Sequence, residues 1–168
     1  MKSTGEVMGS GRTFAEAFSK SSLAAGMPLP ATGKVLMSVR DADKPAAVRL
    51  AEVFHRGGFD IVATAGTQSA IASAGVPCEA INKVAQGRPH VVDIIKNDEL
   101  TLIVNTTDGR QAISDSFLIR REALNHRMAY ATTMAAAEAI GAVVSSVTDE
   151  KSSATGVYRL DEIHEESI

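Results

Sequence analysis

Leu100-Thr-Leu-Ile-Val-Asn-Thr-Thr-Asp-Gly-Arg110 is the stretch from which the chain is best read. It opens as a short apolar run, Leu102-Ile103-Val104, and passes abruptly into small polar residues and a glycine. A strand buried on both faces carries no polar alternation, so a continuous apolar run ending in a polar turn has the form of a parallel strand that leads to a ligand. Asn105, Thr106 and Thr107 supply donors and acceptors, and Gly109 lets the backbone come close to whatever sits there. The run holds no strong base and no good nucleophile. It suits holding a small polar ligand, such as a phosphate, rather than transforming it.

Outward from that stretch, strands and helices alternate. Lys34–Val39 is a first strand. Asp43 caps a helix with Pro45 in its first turn, and Ala47, Leu50, Ala51 and Phe54 form its buried face at the i, i+3, i+4, i+7 spacing. Gly57-Gly58 stops that helix. Phe59–Ala63 is a second strand, followed by a short helix, Thr67–Ala74. Residues 79–82 are a weak third strand, Lys83 to Pro89 a polar loop, and His90–Asn97 a short helix. Thr101–Val104 is the fourth strand. Ser114 or Asp115 begins a helix running to His126. Met128–Ala131 is the fifth strand, and Thr133–Ile140 an Ala-rich helix. Residues 145–156 read as loop, with Val157–Leu160 as an edge strand. The alternation predicts an α/β domain, a parallel sheet covered on both faces.

The N-terminal part stands apart. Thr13 to Ala25 is a short helix capped by Thr13, with Phe14, Ala17 and Phe18 on one face. Gly26-Met-Pro-Leu-Pro30 then extends the chain as a linker. Two phenylalanines on so short a helix need a surface, either the main domain or a larger partner.

Bulk properties narrow the partners. The 168 residues suffice for one α/β domain and a small appendage. Aromatics are only 4% against 45% hydrophobic residues, so the core is aliphatic. A net charge of -3 gives no general reason to expect nucleic acid or an anionic membrane. The single cysteine, Cys78, excludes an intrachain disulfide and a thiolate metal cluster, and fits a cytoplasmic location. No apolar run approaches the roughly 18 residues of a membrane helix.

The polar residues at strand ends gather on one sheet edge. Strand one contributes Ser38, with Lys44 just beyond it. Strand two contributes Thr64, Gly66 and Thr67, the loop after strand three Lys83, and strand four Asn105, Thr106 and Thr107. Hydroxyls and free N–H groups at helix starts bind anions, and two lysines add charge. Each threonine by itself is an ordinary helix cap; the set points to a phosphate-type site. His90 and Asp93 share an i, i+3 face without an evident third ligand, so no metal is expected. Cys78 beside Pro77 reads as a small packing residue. No serine has a histidine and acid in a nucleophile motif, so no catalytic residue is assigned.

These residues also carry a resemblance. Leu36-Met-Ser-Val-Arg40 with Asp43-Lys44, Ala63-Thr-Ala-Gly-Thr67, Ile81-Asn-Lys-Val84 and Gly87-Arg-Pro-His90 come in order. Ile95-Lys-Asn97, Asn105-Thr-Thr-Asp-Gly-Arg110, Ile119-Arg-Arg121 and Tyr130-Ala-Thr-Thr133 follow. From Gly33 to about Gly141 the chain resembles the C-terminal allosteric, methylglyoxal-synthase-like domain of carbamoyl phosphate synthetase large subunits. Lys2-Ser-Thr-Gly-Glu-Val-Met-Gly9 and Gly11-Arg-Thr-Phe-Ala-Glu-Ala-Phe18 resemble the close of that subunit's second ATP-grasp unit. The implied division is a tail segment at 1–30 and the allosteric domain at 31–168.

The resemblance implies a three-layer α/β/α fold with five parallel strands in the order 3-2-1-4-5. It implies a pocket for nucleotide monophosphate effectors, UMP as inhibitor and IMP at overlapping positions. Lys44, Thr64, Gly66, Thr67, Lys83, Asn105, Thr106 and Thr107 match the family's effector site, and Ser38 and Ser116 its periphery. Tyr130 and Thr132, with Glu6 on the other side, match this region's share of a site for ornithine. The implied parent is an ATP-dependent ligase using Mg or Mn, which works with a glutaminase small subunit. It makes carbamoyl phosphate for pyrimidine and arginine synthesis. Without the ATP-grasp units this stretch is expected to be non-catalytic and to need no cofactor.

Two departures matter. Ala65 stands where bacterial members of the family carry histidine. The loop Gln86-Gly-Arg-Pro-His90 lacks the carboxylate base that methylglyoxal synthase needs after strand three, which speaks against an enzyme on this fold. The alternatives are a stand-alone enzyme on the same fold, such as methylglyoxal synthase, and a protein-interaction module with an empty pocket.

Overall fold

The structure is a computed structural model that describes residues 2–3, 6–108, 110–148, 157 and 159. Two short strands, β1 (Lys2–Ser3) and β2 (Glu6–Val7), pair antiparallel and precede helix α1 (Phe14–Ala24). The main unit then runs β3 (Gly33–Ser38), α2 (Lys44–Arg56), β4 (Phe59–Thr64), α3 (Ala65–Ser73) and β5 (Glu79–Ile81). It continues with α4 (Val91–Lys96), β6 (Leu102–Asn105), α5 (Arg110–Asn125), β7 (Ala129–Ala131) and α6 (Met134–Thr148).

The sheet order is β5-β4-β3-β6-β7, all parallel. Counted within the sheet this is 3-2-1-4-5, as expected. Chain progression goes one way from β3 and the other way from β6, so the two central strands flank a switch point. There Ser38 pairs in register with Asn105. In such sheets the crevice outside the strands' carboxyl ends is where ligands bind.

Strand pleating sorts the core into two layers. Val35, Met37, Ile61, Ala63, Leu102 and Val104 face one side and pack on Ala47, Leu50, Ala51 and Phe54 of α2 and on α6. Leu36, Val62, Ile81 and Ile103 face the other side and meet Val91, Ile94 and Ile95 of α4 and Ile119 and Ala123 of α5. Both faces of the sheet are therefore covered, and each fully buried side chain contributes about 1.5–3 kcal/mol of transfer free energy. The buried face of α2 is the four residues that the spacing predicts.

Three boundaries differ from expectation by more than one residue. α3 starts at Ala65, because Thr64 is still extended and serves as its N-cap without bonding the helix through its side chain. α5 starts at Arg110, a turn before Ser114; Ser114 and Asp115 are cap-prone residues, but they follow a run of helix formers. α6 continues to Thr148, through residues expected to form a loop. There the hydroxyls bond back to the helix itself: Ser146 Oγ donates to the Val143 carbonyl at 2.8 Å and Thr148 Oγ1 to that of Ser145 at 2.9 Å. Val143 and Val144 of the same turns are buried. Gly141 is where α6 crosses α2, since a Cβ there would meet Leu50 Cδ1 at 2.5 Å. The expected edge strand at 157–160 lies largely outside the described residues, and Val157 and Arg159 are not in a strand.

The N-terminal helix docks on the main unit. α1 packs along α6, Ala15 is buried and Phe18 joins the core layer, while Phe14 stacks on Phe18 at 5.6 Å and stays exposed.

Candidate functional site

The turn after β3 and the turn after β6 enclose a cavity of about 490 Å³, lined by Ser38, Arg40, Asp41, Lys83, Asn105, Thr106, Thr107, Asp108, Ser116 and Ile119 among others. Six of the sequence-predicted residues thus come together: Ser38, Lys83, Asn105, Thr106, Thr107 and Ser116. Lys83 reaches the cavity because a single turn of 3-10 helix, Val84–Gln86, follows it, and its N–H donates to Gln86 Oε1 at 2.9 Å.

Lys44, which opens α2, and Thr64, Gly66 and Thr67 at the start of α3 do not line this cavity but stand beside it. Thr64 Oγ1 donates to Ser38 Oγ at 3.2 Å. Thr67 is fully buried, and its hydroxyl accepts the N–H of Val39 at 3.2 Å and donates to the Val39 carbonyl at 3.5 Å. Its hydroxyl is therefore committed to tying α3 to the turn after β3. Gly66 leaves room for a cation, since a Cβ there would lie 3.2 Å from Lys44 Nζ. Ala65 opens α3 as an exposed residue.

Several site hydroxyls and amides hold one another. Asn105 is buried, and its side-chain NH₂ donates to Ser116 Oγ at 2.8 Å and to Tyr130 Oη at 2.9 Å. The Asn105 amide is thereby held between Ser116 of α5 and Tyr130 of β7 at the cavity wall. The N–H of Arg40 donates to Thr106 Oγ1 at 3.2 Å, and the N–H of Thr106 to the Ser38 carbonyl at 3.1 Å. Thr107 is half-buried.

Arg40 and Asp41 in the turn after β3 went unassigned in the sequence, and Asp43, read there as a helix cap, stands at the N-cap of α2 without a side-chain cap bond. A single 3-10 turn, Asp41–Asp43, brings two carboxylates onto two cations. Asp43 takes Arg40 Nε at 2.9 Å, and Asp41 takes Lys44 Nζ at 2.8 Å. The Asp43 carboxyl is held below its ordinary value chiefly by its hydrogen bond from Arg40, then by that from Thr106. Asp41 is likewise held low, first by the Lys44 bond and charge, and more weakly by the charge of Lys83. Asp108, also on the cavity wall, follows Thr107 in the turn after β6.

A second cavity, about 430 Å³, lies on the other side of Arg40 and is lined by Asp43, Thr106, Thr107, Thr132, Thr133 and the first residues of α6. Thr132 belongs to it. Tyr130 reaches the first cavity's network through Asn105. Glu6 sits exposed on β2, in the separate two-stranded ladder. His90 and Asp93 meet at the start of α4, where the His90 N–H donates to Asp93 Oδ2 at 2.9 Å.

Residues 46–132 match the family model described as the MGS-like domain. The carbamoyl phosphate synthase large chain of Pseudomonas aeruginosa is 56% identical over 140 residues, 83% of this chain and 13% of that protein. That of Xanthomonas axonopodis pv. citri is 50% identical over 167 residues, 99% of this chain and 15% of its own length. The chain thus spans only a small part of the curated relatives it matches. Among solved structures, the methylglyoxal synthase of Elizabethkingia anophelis superposes with a TM-score of 0.54 at 18% identity, covering 67% of this chain and 79% of that one. At that identity the likeness establishes the shared fold. The chain belongs to the MGS-like domain family, and the curated relatives it matches are carbamoyl phosphate synthase large chains.

Proposed function

We propose that this chain is the regulatory end of a carbamoyl phosphate synthase large chain and that its switch-point crevice binds a nucleotide monophosphate effector, UMP first and IMP at overlapping positions. The supporting observation is the crevice itself. Its volume of about 490 Å³ falls in the range of about 300–1,000 Å³ usual for small-ligand sites. Its polar groups are fixed beforehand by the Asn105–Ser116–Tyr130 network and the Arg40–Thr106 bond. Lys44 above the start of α3 suits a phosphate, which gains from both the ammonium and the helix N–H groups. Lys83, Thr107 and Asn105, all on the cavity wall, then suit the ribose and base. Effector binding would shift the equilibrium between states of the parent and be linked reciprocally to its substrates.

In this reading residues 1–30 are the tail of the preceding ATP-grasp unit. Exposed Phe14 and Leu23 support it, since they leave apolar surface on a helix that is already docked on one side, and Met27 just beyond it is exposed as well. The parent would be the cytoplasmic ligase of pyrimidine and arginine synthesis, using ATP with Mg or Mn and a glutaminase small subunit. Ornithine would bind at the second cavity through Thr132, with Tyr130 acting from the neighbouring Asn105 network and Glu6 and the preceding unit completing the site.

A phosphate lyase on the same fold is a second reading, favoured by one observation: Asp41 and Asp108 bring carboxylates to the cavity that holds Lys83. Against it, Asp41 is bound to Lys44. Calorimetric titration of the chain with UMP, IMP and ornithine tests the regulatory reading, which predicts nucleotide binding that weakens in Lys83→Ala and Lys44→Ala. Absence of binding by either nucleotide at millimolar concentration overturns it. Turnover of dihydroxyacetone phosphate to methylglyoxal would establish the lyase instead.

A further inference from the structure

We infer that Asp41 is a built-in counter-ion, seated on Lys44 in the place of a ligand's phosphate and displaced when that phosphate binds. The inference rests on the nucleotide reading above and adds a residue that sets affinity and selectivity.

The argument starts from an asymmetry between two acids in one 3-10 turn. Asp43 is largely covered, with 14% of its side chain exposed, and takes both Nε and Nη2 of Arg40 at 2.9 and 3.4 Å. Asp41 is 94% exposed, and it pairs with Lys44 Nζ at 2.8 Å. Lys44 is the covered partner of that pair, 29% exposed and poised over Gly66 at the start of α3. One acid is therefore fixed on its cation, and the other hangs in water on a cation that stands beside the cavity, over the start of α3.

Exposed pairs of this kind contribute little stability and are easily exchanged. A phosphate monoester carries about -1.5 to -2 charges against the single charge of a carboxylate. It can also take the free N–H groups of α3's first turn, where Thr64 forms no side-chain cap. It therefore wins Lys44 from Asp41, while Arg40 stays with Asp43. Lys83 lies in the field of Asp41 as well, so the departing carboxylate leaves two cations to the ligand. The arrangement keeps Lys44 neutralised when the site is free and weakens phosphate binding. It leaves the binding of a phosphate-free ligand unaffected.

The test is calorimetry on the 168-residue chain and on Asp41→Asn, with UMP, uridine and inorganic phosphate, at several salt concentrations. Asp41→Asn is expected to bind UMP about two- to fivefold more tightly, the fold-change of one exposed ion pair. Uridine affinity should stay unchanged. The gain should vanish when Lys44→Met is present in both backgrounds, as a double-mutant cycle requires. UMP affinity unchanged or reduced in Asp41→Asn, an equal gain for uridine, or a gain that survives Lys44→Met would each overturn the inference while leaving the nucleotide site standing. If the parent chain and the variant bind neither UMP nor phosphate, the nucleotide reading and this inference fall together.

Discussion

Replacing Thr67 by valine separates a hydroxyl that binds ligand from one that holds the fold. Valine keeps the shape and exchanges the hydroxyl for a methyl. The buried Val39 N–H then loses the acceptor it has at 3.2 Å, in a site where Thr67 is 1% exposed. An unsatisfied buried donor costs about 1–3 kcal/mol. For a domain of this size that corresponds to a fall in Tm of about 2–4 °C per kcal/mol, so about 4–8 °C for a mid-range cost. Thr67→Ser keeps the hydroxyl and removes one methyl, at about 0.8 kcal/mol. Urea and thermal unfolding of the three proteins give the ranking parent, serine, valine. UMP titration of the serine variant should stay close to the parent, because the tie that shapes the turn after β3 is kept. If the valine variant unfolds within about 0.5 kcal/mol of the parent, the hydroxyl is not a tether. Its role in the turn would then have to be given up.

Further outcomes follow from other parts of the molecule. Phe54→Ala removes a fully buried ring packed 5.6 Å from that of Phe59. It should cost about 3–5 kcal/mol in urea unfolding, and a loss under 1 kcal/mol would contradict the packing. Asp43 has a folded-state pKa below its ordinary 3.8, through Arg40 first and Thr106 second. The stability it contributes is present above about pH 4 and lost as pH falls through the lowered value. The stability difference between parent and Asp43→Asn should therefore shrink on acidification from neutral pH to pH 3; a constant difference would show that Asp43 is not paired. Burial, and then the charge of Glu79, push the Cys78 thiol up to about 11. Its alkylation by iodoacetamide at pH 8 should be at least tenfold slower than that of a free thiol and should rise steeply towards pH 11, since the thiolate is the nucleophile. Alkylation at the free-thiol rate would show the thiol to be open to water.

Much of the molecule was legible as sequence because local rules determine it. The aliphatic runs at 35–37 and 102–104, with helices between, specify a parallel sheet covered on both faces. The spacing of Ala47, Leu50, Ala51 and Phe54 names the buried side of α2 residue by residue. The polar residues at strand ends marked the sheet edge where the cavity lies, since strand ends in a parallel sheet all point one way. Strand order came from resemblance, because the pairing of β3 with β6 joins residues that no local pattern connects. Only the tertiary structure decided what each site hydroxyl does. Thr67 and Thr106 read in sequence like ligand-binding residues, yet they hold the backbone of Val39 and Arg40 across 28 and 66 residues. A hydroxyl's partner depends on which backbone groups the fold leaves unpaired nearby, and that is long-range information. The same holds for the charged turn, where Arg40, Asp41, Asp43 and Lys44 stand within five positions. The sequence shows four charges; the 3-10 turn assigns each acid to a cation, covering the carboxylate of Asp43 and leaving that of Asp41 in water.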